Sequence, residues 1–529
     1  MPILDATLEE IVYNADTNFR IWLTTMPSDK FPVSIVQNGV KTTIEPPKGL
    51  RNNLLRSYLA LDDAEMESCQ KVTAYKRLMF CLCFFNALII ERRKFGPLGW
   101  NIPYEFSASD LKISQSQLKM FLDEYKEIPF EALRYMVAEA NYGGRVTDPK
   151  DRRCIATLLE TYYNPSVLKK DNYKFCESGA YYVPTDGAID EYVEFVKEMP
   201  IADLTEVFGL HNNADITSAI NDTNNLLSTA LSMLPRTSGG AGKSQEDSLK
   251  DIAKSLLDKL PQPLDTDKAA KLHPIMYEES MNTVLAQELL RFNSLLSVVR
   301  TSLINLGKAI KGEVVLSLEL ETMGNSLYDN RVPALWEAKS YPSLKPLASW
   351  IIDFLARLKF MQDWINNGAP PNFWVSGFFF TQSFLTGVKQ NYARRLKLAI
   401  DGIDWDFKMV CPQHNINVDK APEHGAYIHG TFMEGCRWDQ DNEVLEESEH
   451  KVLFTQMNFI HIIPIQIVKF EPGHRYICPL YKTTRRAGTL STTGHSTNFV
   501  IDILLPMKQS HQESHWIGRG VAMLTQLSD

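Results

Sequence analysis

Leu285, Leu289, Phe292, Leu296, Val299, Leu303, Leu306 and Ile310 alternate spacings of four and three, the period of a helix that buries one face. Gly312 ends the run, and helices expected at 344–365 and 377–399 let the stripe bury itself in a bundle. Upstream, the same period predicts helices over Leu50–Tyr58, 72–95, 111–125, 129–140 and 151–163. Gly96-Pro97 stops the second of these. Ser107 and Ser109 are candidate caps for the third, and Asp110 suits the positive end of its dipole. The polar glycine turn at 141–148 separates the last two, so residues 50–210 read as an all-helical domain. Near the start, Phe19-Arg20-Ile21-Trp22-Leu23-Thr24-Thr25 and Phe31-Pro32-Val33-Ser34-Ile35-Val36 read as strands. Beyond residue 400 the pattern shortens to strands at 427–438, 457–469, Arg475–Tyr481, 498–505 and 518–524. Phe499, Ile501, Ile503 and Leu505 alternate there with Val500, Asp502 and Leu504. Such spacing predicts a small closed antiparallel β-barrel.

Composition narrows the class. At 529 residues the chain holds three or four domains of roughly 100–200 residues each. A net charge of −9 argues against a nucleic-acid binder or a membrane-surface binder. Eight cysteines lie scattered without C-x2-C spacing, which fits a reducing compartment better than a disulfide framework. The first residues carry no signal-peptide pattern, and the most apolar window, 78–90, is too short to span a bilayer. A soluble intracellular protein is expected.

Candidate chemistry is sparse. Gly239-Gly240-Ala241-Gly242-Lys243-Ser244 approaches a phosphate-binding loop, but Thr237 stands where the first glycine belongs and the upstream residues read as helix. Linker is the better reading of that segment. His429, His461, His474 and His495, with Cys436 and Cys478, lack compact ligand spacing. The hydroxyl-rich run 492–497 reads as a turn, and Glu319 and Glu321, two apart on a helix, as solvated. Among the arginines, Arg51, Arg56, Arg92, Arg93, Arg145, Arg152 and Arg153 could each serve a neighbouring nucleotide site in a ring ATPase or a simple ion pair. The least explained segment is 373–387. Phe373, Trp374, Phe378, Phe379 and Phe380 crowd around Gly377 behind Pro370-Pro371, with almost no charge. With Leu289, Leu296 and Leu303 of the stripe they form either a contact surface or internal core.

That segment, with Pro333-Ala334-Leu335-Trp336, Tyr341-Pro342-Ser343-Leu344-Lys345-Pro346-Leu347 and Asn391-Tyr392-Ala393-Arg394, resembles the C-terminal domain of dynein heavy chains, the axonemal ones most closely. Phe19-Arg20-Ile21-Trp22-Leu23-Thr24 and Pro46-Pro47-Lys48-Gly49-Leu50-Arg51 look like the end of that family's sixth AAA+ module. Glu91-Arg92-Arg93-Lys94-Phe95-Gly96-Pro97-Leu98-Gly99-Trp100-Asn101 and Tyr142-Gly143-Gly144-Arg145-Val146-Thr147-Asp148 look like its helical lid. Gly435-Cys436-Arg437-Trp438-Asp439 and Trp516-Ile517-Gly518-Arg519-Gly520-Val521-Ala522 resemble the terminal β region.

The resemblance implies an α+β multidomain protein. Residues 1–58 would be a remnant of the AAA+ α/β subdomain and 59–214 its lid. Residues 215–400 would be the helical part of the C-terminal domain, and 401–529 the barrel. It implies the end of an ATP-driven, minus-end-directed microtubule motor of inner-arm type, whose opening residues look like the middle of a domain. This part would brace the ring and bind no cofactor, with ATP and Mg held in upstream modules. Implied partners are those ring modules and, through the full-length protein, intermediate and light chains and microtubules, with no nucleic acid and no membrane. The implied location is the cytoplasm and cytoskeleton, in the ciliary or flagellar axoneme. A stand-alone interaction module, or a nucleotide binder using Gly239 to Ser244, are the alternatives.

Overall fold

Leu50, Leu54 and Tyr58 fall on one helical face and are fully buried, which seats the helix Leu50–Tyr58 against the apolar helix Val72–Glu91 in a computed structural model of the protein. The structure describes residues 2–16, 18–25, 31–43, 45–233, 245–467, 473–489 and 496–529. Two units are distinguished, Met1–Lys48 and Gly49–Asp529.

The first unit has helices Pro2–Asn14 and Val33–Asn38 and no strand among its described residues. Neither strand expected there is found. The segment 19–25 is exposed coil, because an isolated extended segment has no ladder to satisfy its backbone. Pro32, at φ −59°, stands at the N-cap of a short helix where the second strand was expected.

Among its described residues, the second unit contains a small cluster of Tyr481, Ala522 and Leu524 and two large hydrophobic cores. One lies between residues 50 and 214 and is organised around Val72–Glu91, where Leu78, Phe80, Phe84 and Ile89 are fully buried. With its 3-10 extension this helix is long and apolar enough to cross a membrane, a length the window 78–90 understates. However, 78 % of its apolar stretch is buried inside the protein, so the apolarity serves a core. Ser107 and Asp110 form a capping box at the start of Ala108–Glu124, and Asp148 caps Pro149–Tyr162. The helix expected at 129–140 is Phe130–Tyr135 followed by a π turn, Met136–Asn141.

The other core gathers around the long helix Ser280–Ile310, whose stripe is buried from Leu285 to Leu306. Helices Gln245–Lys259, Thr266–Leu272, Leu318–Tyr328, Leu347–Asn367 and Thr381–Leu396 pack with it. Among the described residues the strands are β1 (Asn372–Trp374), β2 (Ile403–Met409), β3 (Ala426–His429), β4 (Phe432–Glu434), β5 (Arg437–Asp439), β6 (Val444–Glu446), β7 (Phe454–Gln456), β8 (Ile460–Gln466), β9 (Arg475–Tyr481), β10 (Phe499–Pro506) and β11 (Ala522–Leu524).

The predicted closed antiparallel barrel is not what they build. They form a four-stranded sheet ordered β1-β3-β8-β2, a five-stranded sheet ordered β10-β9-β11-β4-β7, and the hairpin β5-β6. β1–β3 and β9–β11 run parallel. A barrel needs every strand paired on both sides, whereas among the described residues both larger sheets end in strands paired on one side only. Five of the strands in these two sheets have three or four residues, too short for a continuous staggered wall. The helix Thr381–Leu396, not further strand pairing, packs on β8. A bulge between Phe499 and Ile501 also shifts the alternation in β10, so Val500, Ile503 and Leu505 point inward.

Candidate functional site

Where Val72–Glu91 ends, the backbone tightens into a 3-10 turn, Arg92–Leu98, and reverses at Gly96, φ 58°. This carries Arg92 inward until its side chain is fully buried. A buried guanidinium has five donors and must find acceptors for them. Arg92 Nε donates to the Gly99 carbonyl at 2.9 Å and Nη2 to the Gly518 carbonyl at 2.8 Å and that of Leu98 at 3.4 Å. Nη1 donates to the Phe208 carbonyl. One residue of the first core thus binds three stretches of backbone, and Gly518 belongs to the C-terminal end of the second.

A second buried cation lies alongside. Arg486 Nη2 pairs with Glu434 at 2.7 Å, both side chains about 5 % exposed, and also donates to the Gly520 carbonyl at 2.8 Å. Glu434 belongs to β4, so the pair fixes the segment after β9 on the sheet. Asn101 ties the first core to β9 and the segment after it with its whole amide. Its Nδ2 donates to Asp148 at 3.2 Å and to the Tyr481 hydroxyl at 3.0 Å, while its Oδ1 accepts from Arg486 at 3.5 Å.

Asp151, one turn into Pro149–Tyr162, accepts the backbone N–H groups of Asn101 at 2.9 Å and Ile102 at 3.1 Å. Burial, and then the neighbouring Asp148 carboxylate, push its pKa up to about 7 against those hydrogen bonds. On the same helix Arg153 donates to the Tyr476 hydroxyl and the Ile477 carbonyl at 3.0 and 2.9 Å, and Lys150 pairs with Asp502 at 2.6 Å. A cavity of about 30 Å³ among Arg92, Asp151, Arg153, Tyr476 and Arg486 has room for one water, and the buried Arg486 Nε faces no protein acceptor.

The seam is finished by tight backbone contact. Gly520, φ 68°, lies so close to the Leu98 carbonyl that a Cβ there would stand 2.3 Å from the oxygen. Ile517 packs against both cores. Glu447 accepts from His515 at 2.6 Å and from Arg519, which also reaches the Gly209 carbonyl at 3.1 Å. Burial opposes ionisation of Glu447, but these bonds and the Arg519 charge outweigh it and hold the carboxyl at about 2. The arrangement is a buried polar clamp between two cores, with room for one water.

The aromatic and stripe residues singled out in the sequence fall elsewhere. Leu289, Leu296 and Leu303 are fully buried, and Phe373 and Phe378 nearly so, in one shared core. Phe378 stacks on Phe384 with ring centres 4.6 Å apart. Trp374 and Phe379 are half-buried, and Phe380 is 43 % exposed. The buried Glu288, on the stripe helix, accepts the N–H groups of Phe379 and Phe380 and ties the aromatic segment to that helix. Of the arginines, Arg92 and Arg153 sit in the clamp. Arg145 pairs with Asp110 at 2.7 Å, Arg152 with Glu139 at 4.0 Å and Arg93 with Glu105 at 3.8 Å. Arg51 donates to the Lys197 carbonyl at 3.4 Å. The loop Gly239 to Ser244 and His495 lie outside the described residues. His461 and His474 bond the carbonyls of His424 and Lys508.

Sequence reading missed Arg486, Glu434, Asp151 and Asn101, which carry no motif. It also passed over Cys411-Pro412-Gln413-His414, a Cys-x-x-His spacing whose ends converge with Glu443.

Residues 220–525 match the C-terminal domain of dynein heavy chains, residues 75–214 the AAA lid domain of dynein heavy chains, and residues 1–43 their region D6 P-loop domain. Most of the first core falls within the lid match and the second within the C-terminal match. Arg92, Asn101 and Asp151 lie in the one while Tyr481, Arg486 and Gly518 lie in the other, so the clamp joins those two regions. The whole chain aligns with 13 % of human dynein axonemal heavy chain 3 at 52 % identity. It aligns with 12 % of mouse dynein axonemal heavy chain 1 at 51 % and 17 % of human dynein axonemal heavy chain 12 at 49 %. The chain therefore spans less than a fifth of the length of these relatives. It belongs to the dynein heavy chain family.

Proposed function

We propose that this protein is the structural C-terminal part of an axonemal, ATP-driven microtubule motor, and that it makes the AAA lid and the C-terminal domain move as one piece against the motor ring. The observation that carries this reading is the buried clamp. Arg92 crosses from the lid region to the Gly518 carbonyl, and Asn101 crosses to Tyr481. A bracing element transmits strain only if its parts do not slide, and buried polar groups bonded to fixed partners resist sliding better than interchangeable apolar contacts. Similarity of about 50 % along the whole sequence to axonemal heavy chains supports the assignment to a ciliary or flagellar motor. ATP and Mg then belong to upstream modules of the same polypeptide. Microtubules and the intermediate and light chains are partners of the complete motor.

The test is Glu434→Gln in a full-length motor polypeptide that includes this C-terminal part. It keeps the size of the side chain and strands the Arg486 charge, with melting temperature measured alongside to separate loss of coupling from loss of fold. Microtubule gliding velocity is expected to fall at least about twofold with nucleotide binding unchanged, since mutations along a coupling element shift coupling by about 0.5–2 kcal/mol. Unchanged velocity would show that the clamp has no part in motor output. Mg·ATP titrated into the isolated 529-residue protein should give no binding heat, and micromolar binding would reinstate the loop Gly239 to Ser244.

A further inference from the structure

We propose that Cys411, His414 and Glu443 form a zinc site that pins the long connection after β2 to the β5–β6 hairpin. One ligand atom from each residue lies within 4.8 Å of the others. Zinc–ligand bonds of 2.0–2.3 Å in a tetrahedron separate ligand atoms by about 3.3–3.8 Å, so side-chain rotation alone closes the set. Cys411 and His414 are brought together by the 3-10 turn Pro412–His414, which Asn415 closes in the left-handed region at φ 50°. Glu443 comes from the hairpin turn and is itself left-handed, φ 55°, an unfavourable state for a glutamate that aims its carboxylate at the imidazole. His414 Nε2 and Glu443 Oε1 are 2.6 Å apart, so the imidazole and the carboxylate already converge on one point.

The chemistry of the set selects the metal. Thiolate, imidazole and carboxylate together suit zinc and disfavour magnesium or calcium, which take oxygen ligands. Binding at Nε2 moves the ring proton to Nδ1 and gives up the marginal 3.5 Å contact from the Cys411 N–H; the thiol proton passes to solvent. Cys411 is buried, while the His414 and Glu443 side chains are 32 and 42 % exposed, so the ion enters from the solvent side and water fills the fourth position. Gln413 Nε2 donates to Glu443 Oε1 at 3.2 Å and orients the carboxylate. Asp439 is not available as a ligand, because both its oxygens are taken by Asp441 and Asn442.

The test uses the full 529-residue protein freed of metal with a chelator and then titrated with ZnCl2, reading melting temperature, and with CoCl2, reading the near-ultraviolet thiolate-to-cobalt band. One equivalent should bind with a rise in melting temperature and a thiolate band. His414→Gln and Glu443→Gln should each weaken binding at least about tenfold. Cys411→Ser should abolish the band. Because Cys411 is buried and its variant could misfold, the two exposed-side variants carry the result independently. Absence of binding up to about a hundred micromolar zinc, or binding that all three variants retain, overturns the proposal.

Discussion

Arg92 is fully buried and donates to backbone carbonyls on both sides of the clamp. Its truncation to methionine keeps the stem but leaves the Gly99, Phe208 and Gly518 carbonyls without their donor. Each buried polar group so stranded costs about 1–3 kcal/mol, partly recovered if water enters, so Arg92→Met should destabilise by roughly 3–5 kcal/mol in urea melts. Gly520→Ala forces a side chain into the left-handed region and against the Leu98 carbonyl. A loss of about 2–4 kcal/mol is expected, and a neutral alanine would mean the seam is looser than described. Asp151 makes the clamp sensitive to pH. Its folded pKa, about 7, lies above the ordinary 3.8, so the folded state binds the extra proton between those values. Its contribution is therefore full below about pH 4 and declines as pH rises through 7. Asp151→Asn cannot titrate and leaves one of the two N–H donors facing an amide nitrogen. Measured as melting temperature, the wild type's advantage over it should shrink from about pH 4.5 to about pH 8, and a constant gap would contradict the raised pKa.

At the scale of elements, helices and the longer strands were legible, Arg475–Tyr481 among them, and the pairing of strands into sheets was not. Helix Leu50–Tyr58 matches its predicted bounds, and the stripe from Leu285 to Leu306 faces a core because its period is local and long. Strands of three residues carry too short a pattern to announce themselves. β1 lay hidden inside the aromatic segment, and its parallel partner β3 is more than fifty residues away. The barrel failed for that reason: pairing between distant strands is invisible to alternation along one of them. The aromatic segment divides cleanly by exposure. Phe378→Ala should cost about 3–5 kcal/mol, since the ring is buried on Phe384, whereas Phe380→Ala should change stability by less than about 0.5 kcal/mol. If Phe380→Ala nonetheless alters the output of the complete motor, that exposed ring is the part of the segment that meets the ring modules.

Over the whole molecule the family was legible and the clamp was not. The runs around Glu91–Asn101 and Trp516–Ala522 identify dynein heavy chains as strings, yet nothing in either string says that Arg92 of one donates to Gly518 of the other across more than four hundred residues. Lone arginines, asparagines and carboxylates become a site only when the fold buries them together. Ile517, shared by both cores, and the Arg92, Asn101 and Arg486 contacts make the lid and C-terminal regions energetically dependent on each other. The most direct measurement is differential scanning calorimetry of the 529-residue protein at about pH 7, with Arg92→Met alongside. A single transition spanning both cores, whose calorimetric and van't Hoff enthalpies agree, is expected for the wild type, splitting into two for the variant. Two separate transitions in the wild type would contradict the account, because the lid and C-terminal cores would then be neighbours and not one brace.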